Sequence, residues 1–211
     1  MSGRSKEVQQ RLKKLESNLR NESPLLVDAV KGFKELDLIA YRLGLLNKNQ
    51  SHGTDIPWWP LVTVLGTDSI GKTSFLNTYL NYDLLDTENP EDEEKFTVIS
   101  YARGDESRNL PGVALDADPR FPFYKIADEL EKIIPGSEQN VNDCLQLKTC
   151  PSKLAQGYIF INSPKAGFDT KCLSTLKISD RIIDMSDLVL VFIDANKAQS
   201  SEQHDALEQL L

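Results

Sequence analysis

Gly66-Thr67-Asp68-Ser69-Ile70-Gly71-Lys72-Thr73 places two glycines, a lysine and a hydroxyl at the spacing of a loop that holds a phosphate chain. The glycines at 66 and 71 let the backbone turn tightly, so that successive amides point inward at phosphate oxygens. Lys72 sets an ammonium against β- and γ-phosphate oxygens, and the Thr73 hydroxyl is suited to Mg²⁺. A helix read from Lys72 onward presents the positive end of its dipole to the same anion. The residues expected to contact a nucleotide are Gly66, Thr67, Asp68, Ser69, Ile70, Gly71, Lys72, Thr73 and Ser74.

Such a loop needs a strand before it and a helix after it, and both patterns are present. Apolar runs predict strands at Leu61–Leu65, Phe96–Tyr101, Tyr158–Ile161 and Leu188–Ile193. Helical patterns cover Lys72–Leu80, Pro122–Ile134, Leu173–Met185 and Ser201–Leu211. This alternation predicts an α/β fold, a three-layer sandwich with a mainly parallel sheet. The last helical pattern is still running at Leu211 and four strands are few for such a sheet, which reads as the front part of a longer protein.

Two helical patterns precede the first strand. "SKEVQQRLKKLESNLR" spaces Val8, Leu12, Leu15 and Leu19 along one face among basic residues, which suits either packing on protein or lying on an anionic membrane. "ESPLLVDAVKGFKELDLIAYRLGLL" offers Ser23 as a cap and Pro24 at the first helical position. A polar loop, "NKNQSHGTD", divides a helical segment, 1–50, from a nucleotide-binding domain, 51–211. The tetrapeptide "PWWP" at 57–60 shares its letters with a chromatin-reading β-barrel but runs straight into a strand. Its tryptophans are expected to close the bottom of the sheet.

The chain has 211 residues and a formal charge of −8, which argues against binding a polyanion such as nucleic acid. Its most apolar run is too short to span a bilayer, and residues 1–20 lack a secretory signal. Cys144, Cys150 and Cys172 form no CxxC pair, and with His52 and His204 they offer no zinc spacing. Reduced thiols in a cytoplasmic protein follow.

Ser69 narrows the loop to GxxSxGK[ST], which resembles the dynamin superfamily. "IPWWPL", "FTVISYARGD", "LDADPRFPF", "LQLKTCPS" and "DMSDLVLVF" are similar to segments of bacterial dynamin-family proteins and of the EH-domain-containing (EHD) ATPases, over about residues 25 to 211. The resemblance implies a P-loop nucleoside triphosphatase domain preceded by helices and using GTP or ATP with Mg²⁺. It also implies self-association through the nucleotide domain and peripheral contact with a membrane. Lys72, Ser69 and Asp68 then occupy the catalytic positions, and Thr73 and Asn162 the metal positions.

Several positions depart from that pattern. Where relatives resemble "IDSPGFD", this chain has "INSPKAGFD", so Asn162 replaces a metal-holding Asp and Lys165-Ala166 is inserted before Gly167. Asp169 could stand in. Asp194, after "LVLVFI", suits either a Walker-B-like role or loop capping. Asp68 stands where dynamin GTPases carry a catalytic Gln. The acidic stretch "DTENPEDEEKFTV" offers only Thr87 and Thr97 as hydroxyls for Mg²⁺. "NKAQ" at 196–199 is not the base-reading NKxD, because Gln199 stands in the place of its Asp, so guanine and adenine stay open. The expected function is a dynamin-like nucleotide-binding domain with impaired hydrolysis. The alternative is an inactive pseudo-NTPase acting as an interaction module. A P-loop kinase would need an acceptor site and an arginine-rich lid, and neither is recognisable.

Overall fold

The computed structural model describes residues 4–66, 69–86, 94–116, 118, 120–121, 144–164 and 173–196. They group into two compact units, Met1–Trp59 with Leu115–Lys125, and Pro60–Ala114 with Ile126–Leu211. The helical patterns read at 122–134 and 201–211 lie outside the described residues.

The first unit is helical. Helix α1, Lys6–Glu22, starts at Ser5, whose hydroxyl accepts the Val8 amide, and buries Val8, Leu12, Leu15 and Leu19. Burying each of these side chains contributes about 1.5–3 kcal/mol. That apolar face is used up inside its own unit, so the packing reading holds and the membrane reading of this face does not. Ser23 does not cap the next helix. Its side chain makes no capping bond, and its own amide closes α1 on the Leu19 carbonyl. Pro24–Leu26 forms a 3-10 turn before α2, Val27–Leu43. Gly44 ends α2 at φ 72°, a left-handed turn that lets its amide reach the carbonyls of Ala40 and Tyr41.

The polar loop after α2 is held by a carboxylate. Asp37 is fully buried and accepts from the Ser51 hydroxyl at 2.5 Å, the His52 amide at 2.9 Å and His52 Nδ1 at 3.0 Å. Arg4 stands 3.4 Å from the same carboxylate. These bonds seat α3, His52–Asp55, so the stretch read as a divider packs within the helical unit. The tryptophans pack within this unit. Trp58 meets Phe33 edge-on and donates to the Gly53 carbonyl, and Trp59 donates to Glu22 at 2.8 Å. A buried indole needs an acceptor, and this unit supplies both. Arg120 bridges Glu22 and Asp118, tying the returning "DPRF" segment to the end of α1.

The second unit is a mixed six-stranded sheet in the order β3-β4-β2-β5-β1-β6. Its strands are β1 Leu61–Gly66, β2 Phe96–Tyr101, β3 Arg108–Pro111, β4 Leu145–Cys150, β5 Ile159–Asn162 and β6 Leu188–Phe192. Four strands were expected; β3 and β4 are additional. β1 runs parallel to β5 and β6, and β2 parallel to β4, while β2–β5 and β3–β4 are antiparallel. One face packs Val62, Val64, Ile99 and Phe160 against Leu76 and Leu80 of α4, Ser69–Leu80. On the other face Thr63 meets Ser186 at 2.6 Å, just past α5, Leu173–Met185. Helices on both faces make the expected three layers. Asp187 clamps the start of β1 to β6, accepting the Leu61 amide and donating its own to the Leu61 carbonyl.

Tyr41 gives the helical unit an alkaline limit. Its hydroxyl donates to the Gln50 carbonyl, and burial, followed by the Asp37 charge, raises its pKa above 10.0. A folded value above the unfolded one means that this contribution is complete below pH 10 and is lost as pH rises past the folded value. Wild-type stability in urea should therefore fall above pH 10. Tyr41→Phe, weaker at neutral pH by about 0.5–1.5 kcal/mol for the lost hydrogen bond, should lack that alkaline component.

Candidate functional site

Gly66 closes β1 with the backbone of β6 pressed against it. At φ 159° a Cβ on residue 66 would lie 2.6 Å from the Phe192 carbonyl oxygen and 3.0 Å from its Cβ. Only glycine fits this approach. Gly71 is different. The helix begins at Ser69 rather than at Lys72, so Gly71 is helical, and a Cβ there would meet the Phe192 ring at an ordinary 3.6 Å. The tight turn expected at 71 is not what this glycine provides.

Starting α4 one turn early brings Lys72 over the tips of two strands. Its side chain is fully buried, and Nζ donates to the Gly66 carbonyl at 2.6 Å and to the Pro164 carbonyl at 3.2 Å. The amide of Ser163 joins the same strand ends through the Val64 carbonyl. Thr73 is buried at 7 % exposure, whereas Ser74 is exposed. Thr67 and Asp68 lie outside the described residues, and Ser69 and Ile70 are described only as the first turn of α4.

Asn162 ends β5 in register with Val64 of β1 and with Thr97 of β2, and Thr97 is in register with Gln146 of β4. Residues in register share a face. Gln146, Thr97 and Asn162 thus form a buried polar row, on the α4 face, at the end of the sheet where β1 leads towards α4. Gln146 donates to the Thr97 hydroxyl at 2.7 Å. The side-chain oxygen of Asn162 is buried and accepts no hydrogen bond, a cost of about 1–3 kcal/mol unless a ligand answers it.

Thr97, one of the two hydroxyls read for Mg²⁺, therefore lies inside the sheet, and Thr87 lies outside the described residues. So do Lys165-Ala166, Gly167, Asp169 and Gln199. Asp194 accepts the Asn196 amide at 2.9 Å, the loop-capping arrangement. Burial raises the pKa of the Cys150 thiol, keeping it protonated and unreactive. Gln146 was missed by the sequence reading. The signal was the alternation in "LQLKTC", where Gln, Lys and Cys share one face of a strand.

A polar cavity of about 460 Å³ flanks α4 between Thr73, Ser74 and Asn77 on one side and Asp83 and Asp86 on the other. Asn77 shapes its wall, accepting the amides of Leu84 and Leu85 and donating to the Leu85 carbonyl.

A strand ending in a crowded glycine, a helix starting beside it and a lysine folded back over the strand tips define an α/β domain of the P-loop class. Comparison with known proteins finds relatives of low identity. Human EH domain-containing protein 2 is 25 % identical over 175 residues, 77 % of this chain and 30 % of that protein. The rat and mouse forms are each 24 % identical over the same length. The chain thus spans under a third of these relatives. Among solved structures, a chain of an oligomerised bacterial dynamin pair, described for long-range sensing and tethering of membranes, is similar at TM-score 0.43. It shares 16 % identity, over 94 % of this chain and 35 % of that one. No family model matches the chain.

Two alanine substitutions separate the glycines. Gly66→Ala should lower stability by about 1–3 kcal/mol, because Phe192 backbone must move. Gly71→Ala should leave stability unchanged or raise it, alanine being the better helix former by about 1 kcal/mol. Chemical denaturation of both variants checks this, and equal losses would contradict the geometry.

Proposed function

We propose that the sheet unit, which begins at Pro60, is the nucleotide-binding domain of a dynamin-like protein, taking GTP or ATP at the loop from Gly66 to Ser74. The observation that carries this reading is Lys72, buried and held between the ends of β1 and β5 by two main-chain carbonyls. A phosphate chain entering there would exchange those carbonyls for charged oxygens, with α4 adding its dipole. Ser69 and Asp68 complete the loop.

Thr73 and Asn162 offer the hard oxygens that Mg²⁺ takes, and the unanswered Asn162 oxygen suits a metal or its water. They fit in kind. Neither carries charge, so the hold is weaker than a carboxylate would give. Bound Mg²⁺ would neutralise charge between the β- and γ-phosphates. Asn162 also favours a second reading, a pseudo-NTPase that binds without cleaving. Self-association and peripheral contact with a membrane from the cytoplasm are part of the proposal. Among the described residues no helix is long and apolar enough to cross a membrane.

Lys72→Ala should weaken binding of GDP, GTP, ADP or ATP by about 1.5–3 kcal/mol, the worth of a hydrogen bond to a charged group. Calorimetry showing unchanged affinity for all four would remove the site from this loop.

Phosphate release from Mg·GTP or Mg·ATP should be very slow in the wild-type chain. Asn162→Asp should tighten Mg²⁺ binding and speed release, since a carboxylate holds the metal better than an amide. Fast release by the wild type, or no change in metal affinity on substitution, would count against this assignment.

A further inference from the structure

The polar cavity beside α4 has a buried hydroxyl on one wall and two carboxylates on the other. Thr73, only 7 % exposed, lines it from the helix, and among the described residues its hydroxyl makes no hydrogen bond. A buried polar group that faces a cavity in this way is costly unless something in the cavity answers it. Asp83 and Asp86 line the same cavity, both exposed, on the segment that follows the helix.

That segment is pinned. The Asn77 side chain, one turn beyond Thr73, accepts the amides of Leu84 and Leu85 at 3.2 Å and 3.0 Å. It donates to Asp83 at 3.0 Å and to the Leu85 carbonyl at 2.8 Å. Leu84 and Leu85 are buried, and Lys148 of β4, buried itself, donates to the Leu84 carbonyl at 3.3 Å. Both carboxylates are therefore carried by a stretch of chain fixed against α4.

We infer that this cavity is a divalent-cation site, in which the carboxylates of Asp83 and Asp86 join the Thr73 hydroxyl as oxygen ligands. The inference rests on the reading of Thr73 as a metal ligand and adds the negative charge that Asn162 lacks. The bond from Asn77 uses one oxygen of Asp83, and the carboxylate has further lone pairs for a metal. Two carboxylates facing one cavity repel each other, and a bound cation relieves that repulsion. Hydroxyl and carboxylate oxygens suit a hard ion such as Mg²⁺ or Mn²⁺, and among the described residues no sulfur or imidazole lines the cavity to favour zinc. Its volume of about 460 Å³ leaves room for the waters that such an ion keeps.

Mn²⁺ binding to the whole chain without nucleotide, read by electron paramagnetic resonance and competed with Mg²⁺, tests the site. One saturable site is expected. Asp83→Asn and Asp86→Asn should each raise its dissociation constant about tenfold or more, since each removes one charge from the ligand set. Thr73→Val should raise it as well. Asp28→Asn, on exposed α2 and ion-paired with Lys31, should leave it unchanged. A wild type without saturable Mn²⁺ binding overturns the proposal, as does an affinity indifferent to both cavity carboxylates or equally lowered by Asp28→Asn. Binding of GDP in the presence of EDTA reads the proposed nucleotide site alone, so a failure there is distinct from a failure of the cavity.

Discussion

A buried ammonium is among the hardest groups for a protein interior to accommodate, and Lys72 is fully buried. Among its partners are the Gly66 carbonyl at the end of β1 and the Pro164 carbonyl just past β5. That condition reaches through the whole sheet unit. It requires β1 and β5 to be parallel neighbours, so that both finish at the same edge. It requires α4 to start at Ser69, so that the lysine is already on a helix when it reaches back. The glycine at 66 follows as well, since β1 must end against the backbone of β6 to leave its carbonyl facing Lys72.

The strands that build this arrangement were legible because their apolar runs are unmixed. Leu61–Gly66 and Ile159–Asn162 are buried along their whole length, as strands covered on both faces must be. β4 escaped because Gln146 and Lys148 look like surface residues, although the sheet buries both. β3 escaped because a short strand with Pro111 at its end carries almost no periodic signal. The start of α4 was placed late because Gly71 weakens a helix reading, and tertiary position outweighed that propensity.

In the candidate site, residue types point to a chemistry but not to the company each residue keeps. Spacing alone proposes Lys72 and Thr73. The row Gln146–Thr97–Asn162 was not, because it joins three strands far apart in the chain, and register is set by pairing. In the helical unit, Glu22 and Arg120 show the same limit. Neither has a local signal, and their partnership exists only once the "DPRF" segment returns to α1. Asp37 reads as one more polar residue on an amphipathic helix until Ser51 and His52 close over it.

The clamp between Leu61 and Asp187 joins residues 126 positions apart. Neither strand beside β1 is its neighbour in sequence, because β5 and β6 both come long after it. A chain emerging from the ribosome therefore makes β1 and α4 well before β5 and β6 can pair with β1. Contacts at such separation carry a large loop-closure entropy and form slowly. Until Phe192 is synthesised, the crowded approach that defines Gly66 does not exist. An apolar strand waiting that long is exposed to misassociation, and it makes chaperone capture a natural companion of this topology.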